Sequence, residues 1–297
     1  MPSVITHYLL AQRLLAHIKQ TYKDCKIHQN ALLWGAQGPD FLFAAQSERL
    51  RSLASLLHTA PSGQTLSFLS RFALDSKNNM DQSYALGFFT HYALDSIAHP
   101  FVLSGARQMA AQRSEISAAV AHNMIEVNLD VIMVRYEKST LANSIRLQTC
   151  APKDPAVMQH MALLYSVLLH SVLQENASVK EVFESAQSYR KWLKKHTDRT
   201  GLKKDFLLRR EKKRHLPPGA SVMYRSITED DTYDYANINN NDWEENGQIR
   251  TDTFFDLFEQ ADRLATAMTD LFFSGGDICS PTGGKPFIQT TEATAAK

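Results

Sequence analysis

The sequence predicts an all-α fold, a single multi-helix domain, and three observations carry that expectation. Apolar residues recur at spacings of three and four along most of the chain, alternating strand-like patterns are scarce, and no unit of about 20 to 50 residues repeats, which argues against a solenoid. The first stripe is Tyr8, Leu9, Leu14, Leu15 and Ile18. Further stripes fall near residues 64–74, 80–104, 114–137, 155–175, 178–195 and 252–274, separated by Gly, Pro, Asn and Ser. Of the 297 residues, 44% are hydrophobic and 21% charged, enough apolar material for one sizeable core. The helical domain is expected over residues 1–275. A peripheral insertion is expected at about 190–250, where a Lys/Arg-rich stretch (190–215) precedes an acidic, Asn-rich one (229–259). The small and polar segment 276–297 reads as a disordered tail.

Bulk charge narrows the partners. A formal net charge of +1 gives no reason to expect a nucleic-acid protein. His7, Gln12, Arg13 and His17 interrupt the N-terminal Leu-rich stretch, so it does not read as a signal peptide. No run of about 18 apolar residues is evident, so no spanning helix is expected. Cys25, Cys150 and Cys279 are odd in number and widely spaced, which suits a reducing compartment. A cytoplasmic location is the resulting expectation.

Chemistry concentrates in GFFTHYALDSIAHP, where His91, Asp95 and His99 stand at i, i+4 and i+8 of an apolar helical pattern. That spacing stacks them on one face. AHNMIEVNLD repeats the device with His122 and Glu126. A single H-x-x-x-D pair is usually a surface pair, but two such helices in apolar settings point to a metal, because buried charge is costly unless compensated. Imidazole and carboxylate without thiolate suit a catalytic zinc site that keeps a position for water. THY with His7, WGAQGPD with Asp40 and SLLH with His58 are weaker candidates to complete it. Alone, Asp40 reads as a turn or cap residue and His7 as a half-buried histidine. Nucleotide-binding loops and H-E-x-x-H are absent.

In this order, over roughly residues 1–137, these motifs resemble the zinc-dependent phospholipase C family, whose domain also occurs in glycosylphosphatidylinositol-specific phospholipase D and whose fold is shared with single-strand nucleases. The resemblance implies two or three Zn2+ ions. Asp40, His58, His91 and Asp95 would hold one and His99, His122 and Glu126 a second. Asp95 would bridge to a third beside His7, where the family also uses the amine of an N-terminal Trp that this sequence lacks. It further implies hydrolysis of a phospholipid or other phosphate ester, with Asp40 orienting or deprotonating the attacking water. A nuclease or nucleotidase of the same fold, or a zinc-binding interaction protein without turnover, are the alternatives.

Two surfaces bear on substrate. Trp34, Phe41, Leu42, Phe43, Phe88, Phe89 and Phe101 flank the candidate ligands and are either an apolar entrance or core packing. The 190–215 stretch, with Trp192, Leu193, Phe206 and Leu207 among its cations, could associate peripherally with an anionic membrane or pair with the acidic 229–259 segment.

Overall fold

The computed structural model describes residues 3–288. Its helices are α1 (Val4–Thr21), α2 (Gln29–Ala36), α3 (Glu48–Thr59), α4 (Ser62–Ser76), α5 (Asn79–Gln112), α6 (Ala118–Lys138), α7 (Pro155–Leu173), α8 (Val179–His196), α9 (Leu202–Lys213) and α10 (Phe254–Ser274). Their starts follow from local sequence. The side chains of Ser47, Asn78, Ser117 and Asp154 accept backbone N–H groups of the first turns of α3, α5, α6 and α7. Ser178/Glu181 and Thr253/Asp256 form reciprocal capping boxes on α8 and α10. The only strands among the described residues, β1 (Trp243–Glu245) and β2 (Gln248–Arg250), pair antiparallel around Asn246-Gly247, both at positive φ, as a two-residue hairpin turn demands.

The 34-residue α5 is the axis of the molecule, and α1, α2, α4, α6 and α10 all pack on it. Its closest neighbour is α2. A Cβ at Gly87 would lie 2.0 Å from the Leu32 carbonyl oxygen, and one at Gly35 would lie 2.1 Å from that of Tyr84. Two facing glycines therefore let the backbones touch, and the chain leaving α2 is delivered against the middle of α5. Arg13 ties α1 to its neighbours, pairing with Glu137 of α6 and with Glu259 and Asp262 of α10.

Two expectations are revised. The helix α7 is long and apolar enough to cross a membrane by length and composition, with a mean hydropathy of 1.5 over its best window, contrary to the reading that no such segment exists. Here it buries Val157, Met158, Met161, Leu164, Tyr165, Leu168 and Leu169 against α3, α4, α5 and α8. Residues 276–288, assigned to the disordered tail, return to the core: Phe287 is buried, Tyr92 and Ser62 hydroxyls donate to the Lys285 carbonyl, and the Ile288 N–H donates to the His58 carbonyl at 2.9 Å. The rest of that expected tail, 289–297, lies outside the described residues. The three cysteines are free thiols.

Candidate metal centre

All eight residues singled out from sequence meet around one stretch of α5. His91, Asp95 and His99 project from its central turns, His7 from the second turn of α1, His58 from the last turn of α3, and His122 and Glu126 from α6. Asp40 comes from the 3-10 turn Gly38–Ala44 that follows α2. Gly38 is what permits this turn to lie on α5. Its φ is +51°, and a Cβ there would lie 2.1 Å from Cδ2 of the His91 ring.

Asp95 sits at the centre. Its Oδ1 lies 3.3 Å from His7 Nε2 and 3.4 Å from His99 Nδ1, while Oδ2 lies 3.3 Å from His91 Nε2 and 3.8 Å from His58 Nε2. Asp40 Oδ1 is 3.1 Å from His58 Nε2, and Glu126 Oε2 is 3.3 Å from His122 Nε2. Three sets of donors each fall within 4.8 Å of one another: His7, His91 and Asp95; Asp40, His58 and His91; and His99, His122 and Glu126. The first two sets are buried, and His99 and His122 of the third are partly exposed.

These donors fit zinc. Two ligands about 2.0–2.1 Å from a shared tetrahedral ion stand roughly 3.3 Å apart, the separation found in most of these pairs. Both ring nitrogens of His91, and Nδ1 of His7 and of His122, are buried with no hydrogen-bond partner. A protein rarely leaves such atoms unsatisfied, since each costs about 1–3 kcal/mol, and a ligand bound between them removes the cost for those aimed at it. Orientation is also set from outside. The Nδ1–H of His58 donates to the Ala54 carbonyl at 2.8 Å, which holds the ring with Nε2 facing Asp40.

Protonation follows the same logic. Burial pushes His91 down to about 4, despite the attraction of Asp95. Burial opposes ionisation of Asp95 as well, yet the imidazoles of His91, His99 and His7 hold it well below the usual carboxylate range. Against burial, Asp40 is held low chiefly by His58, and Glu126 is held low with His122 and His99 among the causes. Three charged carboxylates and a neutral His91 are the protonation states that metal ligands require. For His7 and His99, burial is outweighed by Asp95, and both are raised.

The family profile described as zinc-dependent phospholipase C matches residues 6–179, more than half of the chain. The chain belongs to the zinc-dependent phospholipase C family. No curated protein and no solved structure matches it. Every residue of the three donor sets lies inside the matched region. Family, helical fold and His/Asp clusters together make this a zinc-binding hydrolase-type domain of the phosphodiesterase kind.

Several contributors were not read from the sequence. Phe287 stacks its edge on Tyr92 and reaches His58 and His91, roofing the buried sets from a segment expected to be a tail. Asp130, one turn beyond Glu126, is fully buried. Its Oδ1 accepts from the Thr6 N–H and hydroxyl, both at 2.7 Å, and its Oδ2 from Arg225 Nε at 3.0 Å and Nη2 at 2.5 Å. Asp130 thereby anchors the first turn of α1 beside His7. The i+4 spacing from Glu126 was a visible signal for Asp130, whereas nothing local marks Arg225. Of the flanking apolar residues, Trp34, Phe41, Leu42, Phe88 and Phe89 are core residues. Phe43 stacks on His58, and Phe101 lines a cavity of about 280 Å³ with Tyr233, Trp243 and Ile125.

Proposed function

We propose that this protein hydrolyses phosphate esters as a phospholipase C-like phosphodiesterase holding two or three zinc ions. The observation that carries the reading is the Asp95 carboxylate, whose two oxygens face different imidazoles, so that one side chain joins the donor sets into a single centre. Asp40, His58, His91 and Asp95 would hold one ion, His99, His122 and Glu126 another, and His7 with Asp95 a third. When bound, paired zinc ions supply charge that binds the non-bridging oxygens of the ester and lowers the pKa of water toward about 7.

The chain's own residues do the rest. Asp40, ionised and beside His58, would orient the attacking water and accept its proton. The Ala54 carbonyl holds the His58 ring beside Asp40. Phe287, Phe88 and Tyr92 close the inner side against bulk water, which strengthens the electrostatic contacts within. Leu94, Val102, Leu129 and Phe254 give the His99–Glu126 side an apolar wall.

One observation favours a second reading, a zinc-binding interaction protein without turnover. The cavity bordered by Asp95, His99 and Glu126 measures about 10 Å³, enough for a water molecule and too small for a phosphate ester. Metal analysis of the purified chain, with bis-p-nitrophenyl phosphate hydrolysis before and after chelation, separates the two. Two or three zinc ions with chelator-sensitive turnover support the hydrolase. Zinc without turnover, unrelieved in Phe287→Ala, supports the binding protein, and no bound metal sinks both. Phospholipid, RNA and nucleotide panels then distinguish the lipase from a nuclease or nucleotidase.

A further inference from the structure

The helix α9 differs from every other helix here in burying none of its residues. It rests on the fold through Lys204, Leu207 and Glu211, which are half-buried and spaced by three and four, hence on one side. Lys204 Nζ donates to the Ser226 hydroxyl at 2.6 Å, and the Glu211 carboxylate accepts from the Ser221 N–H and hydroxyl. The opposite side carries Leu202, Phe206, Arg209 and Lys213 in the matching i, i+4, i+7, i+11 row. Leu202 is 68% exposed and Phe206 65%, with Leu208 and Leu216 also open to solvent.

Around these apolar side chains stand Lys203, Arg209, Arg210, Lys212, Lys213 and Arg214, all exposed, against the single exposed carboxylate of Asp205. Among the described residues, no ion pair joins any of them to the acidic 229–259 segment, so the charge is not cancelled within the fold. The upstream half of the basic stretch behaves differently. Leu193 is buried and Trp192 stacks on Tyr189, so α8 turns its apolar side into the core and exposes only cations such as Lys191, Lys194 and Lys195, whereas α9 displays apolar side chains beside its cations.

We propose that α9 docks the protein on an anionic lipid surface, with Leu202 and Phe206 entering the headgroup boundary and the surrounding Lys and Arg meeting lipid phosphates. Charge complementarity commits the surface to this occupant: a dense negative plane meets Arg209 and Lys213 on the outward row and Arg210 and Lys212 at its flanks, and Leu202 and Phe206 gain from burial at the interface. A nucleic-acid backbone would use the cations but offers no place for an outward row led by Leu202 and Phe206. The proposal stands on the α9 surface alone and does not require the metal centre to turn over.

Co-sedimentation of the full chain with phosphatidylcholine vesicles, with and without phosphatidylserine, tests it. The chain should pellet only with phosphatidylserine, and added salt should release it. Arg209→Gln with Arg210→Gln should weaken binding by about fivefold per cation removed. Leu202→Ser with Phe206→Ser should weaken it by roughly tenfold. Because α9 buries nothing, both variants should keep the wild-type circular dichroism, metal content and hydrolysis of bis-p-nitrophenyl phosphate, so a failure of docking is distinct from a failure of the hydrolase reading. Absence of binding to phosphatidylserine vesicles overturns the proposal, as does full binding by both variants. Salt-sensitive binding of a single-stranded oligonucleotide with no vesicle binding would replace it with a nucleic-acid surface.

Discussion

Glu126 and Asp130 stand one turn apart on α6, both buried carboxylates reached by residues from other elements, and they are put to opposite uses. Asp130 has a protein donor on each oxygen at every turn: Thr6 twice on Oδ1 and Arg225 twice on Oδ2. Glu126 faces His122 in a neighbourhood where imidazole nitrogens of His7, His91 and His122 have no hydrogen-bond partner. A buried polar cluster that closes on itself holds the fold together, whereas one that converges and leaves atoms open is built for something else to enter. Both are buried carboxylates, and the difference lies in their surroundings: hydrogen-bond donors that close the set around Asp130, and imidazole nitrogens of His7, His91 and His122 without partners around the other.

The largest effect that sharpens this contrast is expected at Asp95, the junction of the open cluster. Asp95→Asn should cut hydrolysis by about a thousandfold and lower zinc content, with the fold retained, as read by steady-state kinetics and metal analysis. Unchanged zinc and activity would break the comparison outright. Asp130→Ala should do the reverse, costing about 3–5 kcal/mol in urea unfolding because it breaks the buried pair with Arg225 and removes the acceptor of the Thr6 N–H and hydroxyl, while the folded fraction keeps its zinc at His99, His122 and Glu126.

A pH titration separates the clusters next. His91 in the folded chain stays neutral down to about 4, whereas in the unfolded chain it protonates near 6.5. Between those values the unfolded state binds the extra proton, so stability falls as pH drops through this window. Relative to His91→Gln, chelator-treated wild type should lose up to about 3 kcal/mol from pH 6.5 to 4, and parallel profiles would show that His91 is not the buried neutral base described. His7 and His99 act with the opposite sign, being raised: their contribution is present below 6.5 and lost as pH rises through the folded values, and it cancels in this difference. The smallest effect is expected for Gly38→Ala. Positive φ and the His91 ring should cost about 2 kcal/mol and reduce zinc occupancy, and an unaffected variant would remove Gly38 from the account of how Asp40 is placed.

Much of this was legible in the chain itself. The stripes at 80–104, 114–137, 155–175, 178–195 and 252–274 correspond to α5, α6, α7, α8 and α10, because long amphipathic or apolar periods with capping residues leave little local ambiguity. The short α2 and the turn that presents Asp40 were not delimited, since eight residues give too few periods to read. The helix α9 was not delimited for a different reason: it buries none of its residues, so no core-facing stripe announces it. Phe287 was hidden among small polar residues, and its place against His91 depends on a chain reversal over more than 190 residues that no local pattern encodes.

What the sequence determined by itself is the helical class, the family and the i, i+4 ligand pairs on α5 and α6, all of which follow from short-range spacing on a helix of fixed geometry. Tertiary structure decided what spacing cannot. It brought His7, Asp40 and His58 to the α5 ligands through the Gly35/Gly87 contact and the Gly38 turn, roofed them with Phe287, and joined Arg225 to Asp130 across 95 positions. Such contacts depend on where whole elements pack, and packing is set by the shape and burial of every side chain at once rather than by any one motif.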